Sequence, residues 1–251
     1  MDKMPSHDIV DTNTGKVVLI VEDETDIQEL ISYHLKQEGY SVLQALDGRQ
    51  ALEQIKVGTP NLVLLDLMLP ELSGLEVLKT IRYSWGMTAL PVLIASARTE
   101  ESDIIMGLEI GADDYITKPF SPKVLIARVK AILRRTQEQE SRAASPKKED
   151  TDIIKTPGGL TMDISRYGCE YKGTKLNLTA TEFAILHLLA GCVGRVFTRN
   201  QIISTIKGDD YPVTERSIDV QMASVRRKLG EGGAALKTVW GIGYKYQEEE
   251  T

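Results

Sequence analysis

Five short apolar runs, each followed by a segment with a helical apolar stripe, occupy the first half of the chain and leave it very few architectures. Lys16 to Val21 (KVVLIV) is apolar at consecutive positions, so both of its faces need cover; a strand with one wet face would alternate. Thr25 to Glu38 then sets Ile27, Leu30, Ile31 and Leu35 on one helical stripe, and Gly39 stops it. The same reading gives strands at Ser41 to Ala45, Leu62 to Leu65, Val92 to Ala95 and Tyr115 to Thr117. Helices fall between and after them, over Gly48 to Ile55, Gly74 to Tyr83, Glu101 to Ile110 and Ser121 to Arg135. In the last helix Leu125, Val129, Ile132 and Leu133 form the buried stripe. Strands separated by helices predict an α/β domain with a parallel sheet covered on both faces. Ligands of such sheets bind beyond the carboxyl ends of the strands.

The residues expected at those ends are chemically unusual. The first strand runs into Glu22-Asp23, where a dinucleotide-binding turn needs glycines; carboxylates there repel a diphosphate instead of cradling it. The third strand ends at Asp66, the fourth at Ser96, and the fifth runs into Lys118-Pro119. Each is ordinary alone, since an Asp after a strand is commonly a turn or cap and Lys-Pro a common surface dipeptide. Chain folding gathers them, three carboxylates with a hydroxyl and an ammonium, at one edge of the sheet. Three carboxylates repel one another unless a cation joins them. Mg2+ suits this role, being hard, oxygen-seeking and able to keep waters and a phosphoryl oxygen. Asp66 is then a nucleophile toward phosphorus, with Mg2+ and Lys118 neutralising the phosphoryl oxygens and Ser96 donating to one of them.

Thr136 to Asp152 (TQEQESRAASPKKEDTD) lacks large apolar side chains and reads as a linker. Charge shifts across it. The whole chain of 251 residues has a net charge of −6, yet Leu160 to Tyr246 holds 12 basic against 8 acidic residues. A mildly basic part beside an acidic one suggests two jobs. Leu160 to Leu178 alternates as strands do, with Lys172-Gly173 as a hairpin turn. Thr179 and Glu182 make a capping-box pattern ahead of Phe183, Ile185, Leu186 and Leu189; Thr198 and Gln201 repeat it ahead of Ile202, Ile203 and Ile206. A third helix over Thr214 to Leu229 has Ile218, Met222, Val225 and Leu229 on its apolar side. Arg216, Gln221, Ser224, Arg226, Arg227 and Lys228 occupy its other positions, and Thr238 to Tyr246 is a glycine-turned hairpin. Three helices and a hairpin of mild positive charge suit an α+β winged helix-turn-helix with its third helix in the major groove. A basic face that is merely solvated gives the same pattern.

Cys169 and Cys192 lack metal-ligand spacing and read as reduced thiols; His7, His34 and His187 are scattered, so zinc has no support. No window approaches the ~18–20 unbroken apolar residues that a membrane span requires. Met1 to Gly15 has no apolar run and reads as a tail rather than a secretory signal, so the expected location is the cytoplasm.

Over Lys16 to Arg135, the segments VLIVEDE, LVLLDLMLPELSGLEVL, PVLIASAR and GADDYITKPFSPKVLIARV resemble the receiver domain of two-component response regulators. The resemblance implies a flavodoxin-like (βα)5 fold with Asp66 as phosphoacceptor from a sensor histidine kinase. It implies Glu22, Asp23, Asp66 and the Met68 carbonyl as Mg2+ partners. Lys118 is implied to pair with phosphate ahead of a cis peptide to Pro119, and Ser96 and Tyr115 to form a switch pair. The end of the domain resembles the OmpR/PhoB subgroup, which implies homodimerisation through the fourth and fifth helices, with Asp114 and Arg128 pairing across the interface. Val124 departs from related members that carry Glu there facing a basic residue, here Arg98.

LTATEFAILHLLAGCVGRVFTRNQII, RSIDVQMASVRRKLG and TVWGIGYKY, within Gly158 to Tyr246, resemble the effector domain of the same family. By position, Arg216, Gln221, Ser224, Arg226 and Arg227, with Lys245 in the wing, are implied contacts to double-stranded promoter DNA. Ala223-Ser224 falls where relatives carry basic residues, and Trp240 replaces a frequent wing Arg. Gly208 to Val213 matches a segment that can touch RNA polymerase. The implied boundaries are a tail at 1–15, a receiver at 16–135, a linker at 136–152, a winged-helix domain at 153–247 and an acidic tail at 248–251.

The implied function is a transcriptional regulator in which phosphoryl-Asp66 favours dimerisation and binding to tandem half-sites. Two other readings compete. A phosphohydrolase of the haloacid-dehalogenase type needs a second Asp two residues beyond the nucleophile, where this chain has Met68, which cannot shuttle protons. A regulator indifferent to phosphorylation keeps the same domains and differs in tolerating Asp66→Ala.

Overall fold

In the computed structural model, which describes residues 15–143, 153–207 and 216–248, the apolar runs pair as parallel strands. β1 (Val17–Val21) lies between β2 (Ser41–Ala45) and β3 (Leu62–Leu65), and β4 (Val92–Ser96) and β5 (Asp114–Thr117) extend the sheet in the order β2-β1-β3-β4-β5. This is the flavodoxin-like order, whose switch point between β1 and β3 opens a crevice at the carboxyl edge. Strand alternation divides the core. Leu19, Val21, Val63, Leu65 and Ile94 face α2 (Gly48–Gly58), α3 (Gly74–Lys79) and α4 (Glu101–Ile110). Val18, Ile20, Leu62, Leu64, Leu93 and Ile116 face α1 (Thr25–Gln37) and α5 (Pro122–Ala143). The continuous apolar character of β1 has its reason in these two covered faces.

Two boundaries differ from the expectation. The helix predicted over Gly74 to Tyr83 stops as α-helix at Lys79 and continues as a π-helical turn, Thr80–Ser84. The helix predicted to end at Arg135 continues to Ala143, so residues 136–143 of the expected linker are helical. Gln, Glu, Arg and Ala are good helix formers, and absence of large apolar side chains marks a solvated helix as readily as a linker. Residues 144–152 of that linker lie outside the described residues.

The second domain opens with a four-stranded antiparallel sheet, β6 (Ile153–Lys155), β7 (Leu160–Asp163), β8 (Gly168–Tyr171) and β9 (Thr174–Lys175). Its last turn holds Lys172 and Gly173 at φ of 48° and 80°, the left-handed region that a tight hairpin needs. α6 (Ala180–Ala190) begins with the expected capping box, Thr179 and Glu182 bonding reciprocally. Thr198 and Gln201 do the same at the start of α7 (Arg199–Lys207). α8 (Arg216–Leu229) buries Ile218, Met222, Val225 and Leu229. β11 (Leu236–Val239) and β12 (Gly243–Tyr246) form the hairpin, flanked by β10 (Phe197–Thr198) in the order β10-β12-β11. The two domains pack together: Val220 of α8 joins the receiver cluster around α4, and Ala131 of α5 joins the second domain's core. No helix among the described residues is long and apolar enough to cross a membrane.

Candidate functional site

The carboxyl edge of the parallel sheet assembles the acidic set. Backbone bonds from Glu22 N to Ala45 O (3.1 Å) and from Asp66 N to Val21 O (3.0 Å) fix both acids beside the switch point. Gly74 lets α3 close over this edge; a Cβ there would stand 2.0 Å from the Asp66 carbonyl oxygen, so no other residue fits without moving the Asp66 backbone. Carboxylate oxygens of Glu22, Asp23 and Asp66 lie within 4.8 Å of one another, with Glu22 and Asp66 buried and Asp23 exposed. Lys118 reaches across from the end of β5. Its Nζ donates to Glu22 Oε1 (2.7 Å), Glu22 Oε2 (2.6 Å) and Asp66 Oδ2 (2.5 Å). Met68 N donates to the other oxygen, Asp66 Oδ1, at 2.9 Å. The Lys118–Pro119 peptide is cis.

Charge explains the protonation behaviour. Burial pushes the Glu22 carboxyl above its ordinary range, against the lowering effect of Lys118. For Lys118 burial acts to lower the pKa, but the bonds to Asp66 and Glu22 outweigh it and hold the ammonium above its usual value. The ammonium thus compensates two carboxylates, while Asp23 faces solvent. The donor set, oxygen-only and partly open, suits a hard divalent ion.

Ser96, fully buried, closes β4; Arg98 N donates to its Oγ at 3.4 Å. Tyr115 is buried too, its hydroxyl donating to the Arg98 carbonyl at 2.8 Å. Arg98 itself pairs with Asp103 at 3.1 Å, which gives its charge a partner where Val124 offers none. Asp114 and Arg128 pair at 2.6 Å within the one chain. The sequence reading missed Gln28. Its Nε2 donates to Glu22 O (3.1 Å) and Ala45 O (2.9 Å), tying α1 to the backbone that carries the acids. A signal was present: Gln28 falls three and seven residues before Ile31 and Leu35 on the buried side of α1.

The candidate nucleic-acid face departs from expectation in three side chains. Gln221 is buried against the receiver, its Nε2 donating to Ala112 O at 3.2 Å. Ser224 is buried and donates to Glu182 Oε1 at 2.6 Å. Arg226 spans to the hairpin, donating to Leu236 O (2.7 Å) and Thr238 Oγ1 (2.8 Å). These groups are engaged by protein partners and do not face solvent as an open DNA surface requires. Arg227 is exposed and Lys245 half-buried; Trp240 stands 89% exposed at the hairpin tip. Arg216 opens α8, but its side chain, like residues 208–215 with the expected polymerase segment, lies outside what the structure describes.

Fold and site together define a class, a two-component response regulator whose receiver is joined to a DNA-binding transcription-regulation domain. The family model of the response regulator receiver domain matches residues 18–130, and that of the transcriptional regulatory protein C-terminal domain matches residues 173–246. The chain is 39% identical over 237 residues to the alkaline phosphatase synthesis transcriptional regulatory protein PhoP of Bacillus subtilis, covering 93% of this chain and 98% of the relative. It is 38% identical over 233 residues to the phosphate regulon transcriptional regulatory protein PhoB of Pseudomonas aeruginosa, covering 92% and 97%. A solved structure of a RitR mutant superposes with a TM-score of 0.72 at 26% identity, covering 94% of this chain and all of that one. The chain belongs to the OmpR/PhoB family of response regulators.

Proposed function

We propose that this regulator is controlled by phosphorylation of Asp66. The observation that carries the reading is Lys118 Nζ bridging Asp66 and Glu22 beside Asp23, in a chain that also holds a winged-helix domain. Asp66 offers a carboxylate oxygen to the phosphorus of a phosphohistidine on a sensor kinase. The P–N bond breaks, the O–P bond forms, and the histidine leaves as neutral imidazole, since its ring carries a proton on the other nitrogen and the N–P electron pair returns to the nitrogen that held phosphorus. Glu22, Asp23, Asp66 and the Met68 carbonyl would hold Mg2+, which would supply charge neutralisation at the phosphoryl oxygens. Lys118 moves its ammonium from Glu22 to the phosphoryl group, and Ser96 turns its hydroxyl to a phosphoryl oxygen. Tyr115 follows the space that Ser96 vacates.

The modified receiver pairs with a second copy through α4, β5 and α5, with Asp114 and Arg128 re-paired between copies. Two linked winged-helix domains then bind adjacent promoter half-sites with the gain of raised effective concentration. Arg216, Arg227 and Lys245 meet phosphates or base edges, and the segment 208–213 offers a surface to RNA polymerase. This chemistry belongs in the cytoplasm and makes the protein a regulator rather than an enzyme with turnover on an external substrate. Intact-mass measurement after incubation with acetyl phosphate and Mg2+ tests the reading. A gain of one phosphoryl group in the native chain, absent from Asp66→Asn, is expected; equal labelling of both removes Asp66 from the role.

A further inference from the structure

Arg226, expected at the DNA face, is turned to the hairpin. Its Nε and one terminal nitrogen donate to the Leu236 carbonyl at 3.0 and 2.7 Å, and the same terminal nitrogen donates to Thr238 Oγ1 at 2.8 Å. The guanidinium also lies over the Tyr244 ring, 5.5 Å from its centroid. Tyr244, buried on β12, is held from a second helix as well. Arg199 at the start of α7 stands over the same ring at 5.1 Å and donates to Asp219 Oδ1 at 2.6 Å. The Tyr244 hydroxyl donates to that same oxygen at 2.7 Å. Burial, reinforced by Asp219, pushes the Tyr244 hydroxyl up to about 12, so at neutral pH it keeps the proton it donates. Two helices, α7 and α8, thus grip one tyrosine of the hairpin.

Sheet pairing alone holds this hairpin weakly. β10 contributes two residues, Phe197 and Thr198, beside β12, and β11 is the sheet edge. A hairpin with so little sheet beside it is marginal and would swing about its base. Strand alternation puts Thr238 and Tyr244 on the face toward α8, and Lys237 and Lys245, directly opposite each other, on the other face. Like charges in a cross-strand pair cost stability, and a polyanion offsets that cost. Beyond them the chain turns at Gly241, φ 73°, and carries Trp240 and Ile242 exposed at the tip.

We propose that Arg226 is a positioning residue for DNA recognition, fixing the hairpin tip at a set offset from the exposed edge of α8, so that one effector domain spans two grooves as a rigid caliper. The proposal rests on the DNA-binding reading above and names the residue that sets the reach of that site. Successive helix residues point about 100° apart, so Arg226 and Arg227 cannot both face a duplex squarely. The first is given to the hairpin and the second to solvent. Ala223 and Arg227, four residues apart and both exposed, go to the major groove. The hairpin beside them crosses a phosphate strand, with Lys237 and Lys245 on its outer face, and delivers Trp240 and Ile242 to the minor groove beyond. An apolar tip gains most there at a base step that opens easily. Both contacts form together only if their offset matches the duplex; an unbraced hairpin makes the second at lower effective concentration.

The test separates bracing from direct contact. Arg226→Lys keeps the charge and loses the forked bond, and Thr238→Val removes one brace bond from the hairpin side. The full chain, treated with acetyl phosphate and Mg2+, is assayed on a duplex that the native chain selects from random sequence. Dimethyl sulfate reports both grooves, guanine N7 in the major and adenine N3 in the minor. Arg226→Lys is expected to expose adenine N3 under the hairpin while guanine N7 under α8 stays protected at saturating protein. Its affinity should fall about tenfold, as the second linked contact is lost. Thr238→Val should weaken binding roughly threefold, the scale of one hydrogen bond. Trp240→Ala should cost several-fold in the native chain but less than about twofold beside Arg226→Lys, because the tip is already displaced.

Direct contact by Arg226 gives the reverse, equal cost of Trp240→Ala in both backgrounds and lost protection under α8. That result overturns the caliper, as does native affinity in Arg226→Lys or a native chain indifferent to Trp240→Ala. If circular dichroism shows Arg226→Lys misfolded, Thr238→Val with the same Trp240 cycle decides. A native chain that selects no duplex overturns the DNA-binding reading itself, and the caliper with it, before any variant is made.

Discussion

Glu182 provides a sharp test of how the effector domain is held together. Its side chain is fully buried, yet it serves three donors: Thr179 N at 2.7 Å, Ser224 Oγ at 2.6 Å and Lys228 Nζ at 2.5 Å. One carboxylate therefore completes the cap of α6 and ties that helix to α8. Glu182→Ala removes the reciprocal cap bond, worth about 1 kcal/mol. It leaves the buried Ser224 hydroxyl without its charged acceptor, at a cost of about 2 kcal/mol. The Lys228 side chain is 28% exposed and can turn to water, so its loss adds no more than about 0.5 kcal/mol.

The sum, about 3.5 kcal/mol, corresponds to a fall of roughly 15–25 °C in the melting temperature of a domain this size. Calorimetry of the full chain, with hydrogen exchange assigning each transition to a domain, measures it. Ser224→Ala in the Glu182→Ala background should cost much less than in the native chain, because the two side chains share one interaction. A loss below about 1 kcal/mol for Glu182→Ala, or full additivity of the pair, refutes the view that this carboxylate joins α6 to α8.

Other consequences are equally direct. Gln28→Leu deletes the bonds to the Glu22 and Ala45 carbonyls and should lower receiver stability by about 2 kcal/mol in urea titration, at about 1 kcal/mol per bond; an unchanged midpoint contradicts it. Burial pushes the Cys169 thiol up to about 12, so it stays protonated at pH 8, and iodoacetamide at that pH should leave it unmodified in the folded protein until denaturant is added. Mass-spectrometric mapping of the labelled peptide reads this, and rapid labelling of Cys169 in the native state is the opposing result. Trp240, 89% exposed at the hairpin tip, should change fluorescence when duplex DNA binds, and Trp240→Ala should weaken that binding several-fold if the wing takes part. No spectral change on binding places the wing away from DNA.

The sheet and its chemistry were legible because the signals are local. KVVLIV is short, rich in β-branched residues and apolar throughout, as a strand covered on both faces is, and Glu22, Asp66, Ser96 and Lys118 are each the next residues after such runs, so any parallel closure brings them to one edge. Capping boxes at Thr179 and Thr198 were readable for the same reason. The end of α5 was not, since a polar stretch gives no periodic signal to distinguish solvated helix from linker. The positions of Gln221 and Ser224 were hidden more deeply. Both are polar residues on a basic helix and read as surface, but their burial depends on Ala112 and Glu182, partners 109 and 42 residues away. Lys207 looked like an ordinary helix-terminal cation, and only the docking of the domains gives its ammonium Asp114. Contacts between domains follow no sequence period, and α4 offered the one trace of them in its surplus apolar residues.

Affinity of the full-length chain for a duplex selected from random sequence, measured before and after phosphorylation by acetyl phosphate with Mg2+ and alongside Asp66→Ala, tests the central claim most directly. Binding of the native chain should tighten by roughly 5- to 150-fold on phosphorylation, while Asp66→Ala stays at the weak value throughout. Equal affinity of the native chain in both states, with one phosphoryl group verified on Asp66, contradicts the account.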